Sequence, residues 1–182
     1  GIWENQMSLR ILRSTAVIGG ILLFCLGLDS HAELSVPNIF SDHMVLQRDQ
    51  ENKVWGRANP GEKVLVSING ATSEIAADAQ GNWQTMLKPL PVGGPHELTI
   101  KADSGEIAIQ DVLVGEVWIC SGQSNMEWSV SNVNDADLEI AAANYSQIRM
   151  INFPNVGSQE PIWTHDNSPW MICSPNSVKW FS

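Results

Sequence analysis

Between residues 34 and 109 apolar positions come in short runs, none of them sustaining a helical 3.6-residue period over ten residues. The runs lie at 44–47, 53–55, 64–68, 74–77, 83–87, 97–101 and 106–109. Turn chemistry separates them: Asn59-Pro60-Gly61, Asn69-Gly70, Gln80-Gly81-Asn82, the PVGGP stretch at 91–95, and Asp103-Ser104-Gly105. Val64-Leu65-Val66-Ser67-Ile68 running into Asn69-Gly70 is a strong hairpin signal, because Asn and Gly tolerate the positive φ of a tight turn. Short strands at this spacing predict a β-sandwich over residues 33–111.

The pattern changes near Val112. Residues 112–120 (VLVGEVWIC) are almost continuously apolar, as in a strand buried on both faces of a parallel sheet. A small-residue loop, Ser121-Gly122-Gln123-Ser124-Asn125-Met126, follows. In 136–145 the residues Leu138, Ala141, Ala142 and Tyr145 share one helical face, with Ser131, Asn134 or Asp135 as candidate caps. Residues 148–153 (IRMINF) read as a further strand, stopped by Pro154. Strand, loop, helix, strand predicts a βαβ opening over 112–182, with the loop at the carboxyl end of the sheet where such folds bind ligands.

The chain begins with Gly, and from Met7 it reads as a secretory leader. Arg10 and Arg13 precede an uncharged apolar stretch of 14 residues at 15–28, too short to span a bilayer, and Ser30-His31-Ala32 supplies small residues for cleavage. The expectation is a signal over about 7–32, with an upstream extension, and a secreted or periplasmic product starting at Glu33, free of the membrane once cleaved. Cys25 leaves with the leader. Cys120 and Cys173 remain, and the sequence leaves open whether they pair.

Ten Lys+Arg against 20 Asp+Glu give a formal charge of −10, which excludes binding nucleic acid by neutralising phosphates. Two cysteines remote from histidine make no zinc site, so neither metal nor cofactor is expected. Eight Trp are many for 182 residues; indole faces bind sugars, although they more often fill cores. Asp42-His43 pairs an acid with an imidazole, but read as a strand the two point to opposite faces, and a solvated loop is the plainer reading.

Chemistry at Ser124 requires a serine exposed on a tight turn with free backbone N–H groups for an oxyanion. Gly122 permits such a turn. The loop is no Walker motif, and Met126 stands where a G-x-S-x-G elbow has its second Gly.

Gly122-Gln123-Ser124-Asn125-Met126, entered through Gly115-Glu116-Val117-Trp118, resembles the first block of the sialate O-acetylesterases of the SGNH hydrolase superfamily. Phe40-Ser41-Asp42-His43-Met44-Val45-Leu46-Gln47 and Val54-Trp55-Gly56 are similar to the family's N-terminal β-domain. Cys173-Ser174-Pro175, Val178 and Phe181-Ser182 are also family-like. The resemblance implies a flavodoxin-like α/β catalytic domain after the sandwich. It implies Ser124 as nucleophile, its own N–H as an oxyanion donor, and Gly122, Gln123 and Asn125 as supporting residues of the block. The implied substrates are acetyl esters on sialic acid; related esterases with this block act on acetylated xylan.

The family's Asp and His come late in the chain, two or three residues apart. After Ser124 this sequence has only His165, preceded at those spacings by Trp163 and Ile162. The expectation is therefore the N-terminal part of a longer esterase, inactive by itself. The alternative is a sugar-binding or packing β-module without chemistry.

Overall fold

The computed structural model describes residues 33–154, 156–165 and 168–181. A five-stranded mixed sheet has the order β1-β7-β6-β3-β4, made of β1 (Val45–Gln47), β3 (Lys63–Ile68), β4 (Ala71–Ala76), β6 (Gly93–Ala102) and β7 (Gly105–Gly115). A two-stranded antiparallel sheet joins β2 (Asn52–Arg57) to β5 (Asn82–Leu87). The two sheets share one core. Val54, Trp83 and Leu87 from the pair pack with Val64, Val66, Ile68, Leu98, Ile100, Ile109, Val112 and Val114 from the larger sheet. Period-two alternation places these side chains inward and their polar neighbours outward. The Asn69-Gly70 turn forms as expected, both residues having positive φ (47° and 76°), and it pairs Ile68 with Ala71.

All seven predicted runs fall on strands, several of them longer than the run, β6 and β7 most of all. β6 begins at Gly93, inside the stretch read as a turn, because Gly93 pairs with Val114 across the sheet. β7 continues to Gly115, so the boundary read at 111/112 falls inside a strand.

The parallel βαβ reading is corrected. Val112 and Val114 close the first core rather than opening a second sheet, with β1 as their parallel neighbour and β6 as the antiparallel one. Beyond Gly115 no partner strand is found among the described residues, and Trp118 (83%) and Ile119 (92%) are exposed. Helix α1 (Ala136–Ala142) forms, but the face read as apolar looks outward: Leu138 is 71% exposed, while Ala143 beyond the helix is buried. Asp135 caps it by position, in a left-handed conformation and without a side-chain bond. Tyr145 already belongs to β8 (Tyr145–Met150), which pairs antiparallel with β9 (Met171–Cys173). Of the run read at 148–153 only Ile148, Arg149 and Met150 lie in β8, and the partner strand lies more than twenty residues downstream.

Ala143, Met150 and Cys173 form a second, small cluster, closed by Val178 and Phe181 around helix α2 (Pro175–Val178). Cys173 is buried and Cys120 exposed, and both are free thiols. The leader read at 7–32 lies outside the described residues. Among those described, no helix is long and apolar enough to cross a membrane.

Candidate active site

Ser124 opens a 3-10 turn, Ser124–Glu127, with Gln123 as its extended N-cap. The Met126 N–H donates to the Gln123 carbonyl (2.8 Å) and the Trp128 N–H to the Asn125 carbonyl (3.3 Å). The first N–H groups of such a turn have no intrahelical acceptor, so those of Ser124 and Asn125 stay available. Gly122, Gln123, Ser124 and Asn125 are all exposed. A Cβ on Gly122 would meet the Met126 Cγ at 2.6 Å, so the glycine makes room for the Met126 side chain to fold back over it. No cluster of three or more His, Cys, Asp or Glu capable of holding a metal occurs among the described residues.

The approach to this turn is pinned to β1. The Gln47 Oε1 accepts from the Val117 N–H (2.8 Å), and its Nε2 donates to Glu116 (3.0 Å). Arg48 adds a bond from its backbone N–H to the Gly115 carbonyl (2.9 Å). Downstream, the N–H groups of Val130 and Ser131 donate to the Phe181 and Lys179 carbonyls (both 3.1 Å). The Lys179–Phe181 stretch follows α2, whose start is a capping box between Ser174 and Ser177 with Pro175 in the first turn. The Cys173-Ser174-Pro175 segment thus helps to seat the serine loop.

Asp42 and His43 are not a passive loop. They sit in a turn rather than a strand, so adjacent side chains need not diverge. Asp42 accepts from the Gln110 N–H (2.7 Å), and His43 Nδ1 meets Asp111 Oδ2 at 2.6 Å. Asp111 lies at a bulge of β7 with φ 54°, which turns its carboxylate out of the ladder. Both its oxygens accept from Arg149 Nη2 (2.9 Å each), whose side chain is only 4% exposed. This His–Asp–Arg cluster joins the first sheet to β8. Sequence reasoning missed it, although Asp42-His43 inside the FSDHMVLQ block was the available signal.

His165 is not brought to Ser124 by any hydrogen bond among the described residues. Asn38 brackets its backbone, accepting from its N–H (3.2 Å) and donating to its carbonyl, and the ring packs edge-on against Phe153 (4.5 Å). Both ring nitrogens are buried without a partner among the described residues.

No family model matches the chain. Among curated proteins it is 32% identical to the sialate O-acetylesterase of Mus musculus, over 66% of this chain and 25% of the relative. Against that of Homo sapiens the figures are 28%, 80% and 31%. A carbohydrate acetylesterase from Xanthomonas citri superposes with a TM-score of 0.77 at 36% identity, over 81% of this chain and 34% of that one. The chain belongs to the sialate O-acetylesterase family. It spans about a quarter to a third of the length of these relatives. Family membership makes the pinned serine turn, rather than the half-buried His165, the centre of the candidate site.

Proposed function

We propose that this chain carries the nucleophile block of a carbohydrate O-acetylesterase. The observation that carries the reading is the exposed Ser124 on a 3-10 turn, with the free first-turn N–H groups that a developing oxyanion needs. In this mechanism Ser124 Oγ attacks the acetyl carbonyl and its proton passes to a base. The Ser124 N–H holds the oxyanion, and the sugar hydroxyl leaves with a proton. Water then releases acetate from the acetyl-serine. Gly122, Gln123 and Asn125 shape the turn. A serine without a base stays protonated and weak. No histidine hydrogen-bonds to Ser124 among the described residues, so the 182-residue chain alone is read as inactive.

A β-sandwich that β7 carries through to Gly115 and a flavodoxin-like SGNH domain after it belong to the same reading, as do export through a leader at 7–32 and acetylated sialic acid as substrate, with acetylated xylan as the competing one. Aryl acetate hydrolysis by the longest polypeptide its coding gene yields, with and without Ser124→Ala, tests the nucleophile. A variant retaining more than about a tenth of the activity overturns it. A binding role for the β-region draws support from a separate aromatic cleft.

A further inference from the structure

The outward face of the two-stranded β2–β5 sheet forms the floor of a cleft of about 550 Å³, within the range of small-molecule sites. Trp55 lines it, held by an edge-on contact with Phe40 (ring centroids 4.6 Å apart). Beneath lies Trp83, 3% exposed, seated against Gly56 so closely that a Cβ there would come within 2.3 Å of its ring. The Trp83 indole N–H has no acceptor among the described residues. Trp163 comes from a distant part of the chain to form a wall. The Arg57 guanidinium stacks on this ring, 4.4 Å from its centroid. Two residues on from Trp163, the His165 backbone is tied to Asn38, and the Trp170 Nε1 donates to the Ile39 carbonyl (2.8 Å).

Polar groups complete the lining: Lys53, Asp78, Asn82 and Gln84. Asp78 is built into its turn, one carboxylate oxygen accepting from the Asn82 (2.8 Å) and Gln80 (2.9 Å) N–H groups. The Asn82 backbone bond above all holds its carboxyl below the usual carboxylate range, so it is ionised at neutral pH. A cation and an anion both line the cleft, together with two amides and flat indoles. Stacking surface beside mixed donors and acceptors suits the apolar face and hydroxyl rim of a pyranose better than an apolar or strongly charged ligand.

We infer that this cleft is a second carbohydrate-binding site, which holds a pyranose ring of a glycan between Trp55 and Trp163 and is separate from Ser124. The choice of sugar as ligand rests on the proposed function; the site itself rests on the cleft, none of whose lining residues belongs to the serine turn or its approach.

The test is titration of the full chain with xylotetraose and, separately, with the α-methyl glycoside of N-acetylneuraminic acid, followed by calorimetry and Trp fluorescence. The expectation is roughly millimolar affinity for at least one of them. Trp163→Ala should weaken it about tenfold or more, and so should Gln84→Ala, an exposed change that leaves the core intact. Ser124→Ala should bind like the parent. Absence of binding of both sugars by the folded parent overturns the inference. So does a Trp163→Ala chain binding as tightly as the parent. Binding lost in Ser124→Ala and kept in Trp163→Ala would place the sugar at the serine, sinking the second site while leaving the esterase reading intact. A failed nucleophile test leaves this cleft untouched.

Discussion

Removing the Asp111 charge should cost far more than removing the Arg149 charge that it faces. The Arg149 side chain is 4% exposed and Asp111 27%, so the guanidinium has no route to water when its partner is neutralised. Its Nη1 keeps the Ser146 carbonyl (2.7 Å), but its Nε already lacks a partner among the described residues. Breaking a buried pair from one side typically costs 3–5 kcal/mol, and the partly exposed carboxylate puts Asp111→Asn near the lower end, about 3 kcal/mol. Asparagine still tolerates the positive φ at 111 (54°), so backbone strain adds little. Arg149→Met leaves Asp111 with His43 at 2.6 Å and with access to solvent, and should cost only about 1 kcal/mol. The double variant removes both charges and should cost about 1–2 kcal/mol, less than Asp111→Asn alone. Urea unfolding followed by Trp fluorescence reads this directly: at about 1–3 kcal/mol/M, Asp111→Asn should lower the midpoint by roughly 1–3 M. Equal losses for the two single variants, or additive losses in the double one, would refute burial of the guanidinium as the cause.

In the longest gene product, Ser124→Ala should lower aryl acetate turnover by about three orders of magnitude or more, while far-UV circular dichroism stays unchanged. The 182-residue chain itself should turn over the same ester no faster than its own Ser124→Ala variant; measurable Ser124-dependent turnover would contradict the proposal that the chain alone is inactive. Glu62 accepts from the Asn59 N–H (2.8 Å) and from the Ser104 N–H and hydroxyl (2.5 and 2.9 Å). Burial raises its pKa, but these bonds together outweigh that and hold it below the ordinary 4.5. Its contribution is therefore full above that value and fades as pH falls through the lower folded one. Glu62→Gln should cost about 1–2 kcal/mol at pH 7, and the gap to the parent should narrow below about pH 4 in urea titrations; a pH-independent gap would disprove the assignment. If residues 7–32 are a leader as proposed, the product expressed in a bacterium should be recovered outside the cytoplasm beginning at Glu33 by N-terminal sequencing, and a start at Gly1 or Met7 would contradict cleavage.

The sequence discloses what local rules decide. Inward alternation and Asn69-Gly70 mark the β-region strand by strand, because period two and positive φ are properties of neighbouring residues. Partners are decided elsewhere. VLVGEVWIC reads as a buried parallel strand, yet only its first four residues are in a ladder, since β1 ends at Gln47 and β6 begins at Gly93. The helix face of Leu138, Ala141 and Ala142 has a helical period and still looks outward, because amphipathic spacing does not say which face a neighbour covers. The serine turn was legible from its motif. The bonds that seat it were not, for Gln47, Lys179 and Phe181 lie more than fifty residues from it in sequence.

The blocks that mark the family are the ones the fold uses to brace the serine loop. FSDHMVLQ supplies Gln47, which grips Val117, and His43, which grips Asp111. The Cys173-Ser174-Pro175 block caps the helix whose C-terminal side receives Val130 and Ser131. Neither block supplies Ser124: Gln47 reaches the approach through its side-chain amide, and Cys173-Ser174-Pro175 acts through the backbone that follows the helix it caps. A catalytic serine needs positioning to within a fraction of an ångström, and a loop with four exposed residues at its tip cannot supply that stiffness itself. Its rigidity therefore depends on the β-region. Gln47→Ala, remote in sequence from the motif, should disturb the turn at Ser124 while leaving the Asp111 joint intact. Amide exchange at Val117 and Met126 that stayed at the parent rate would show the turn to be self-supporting.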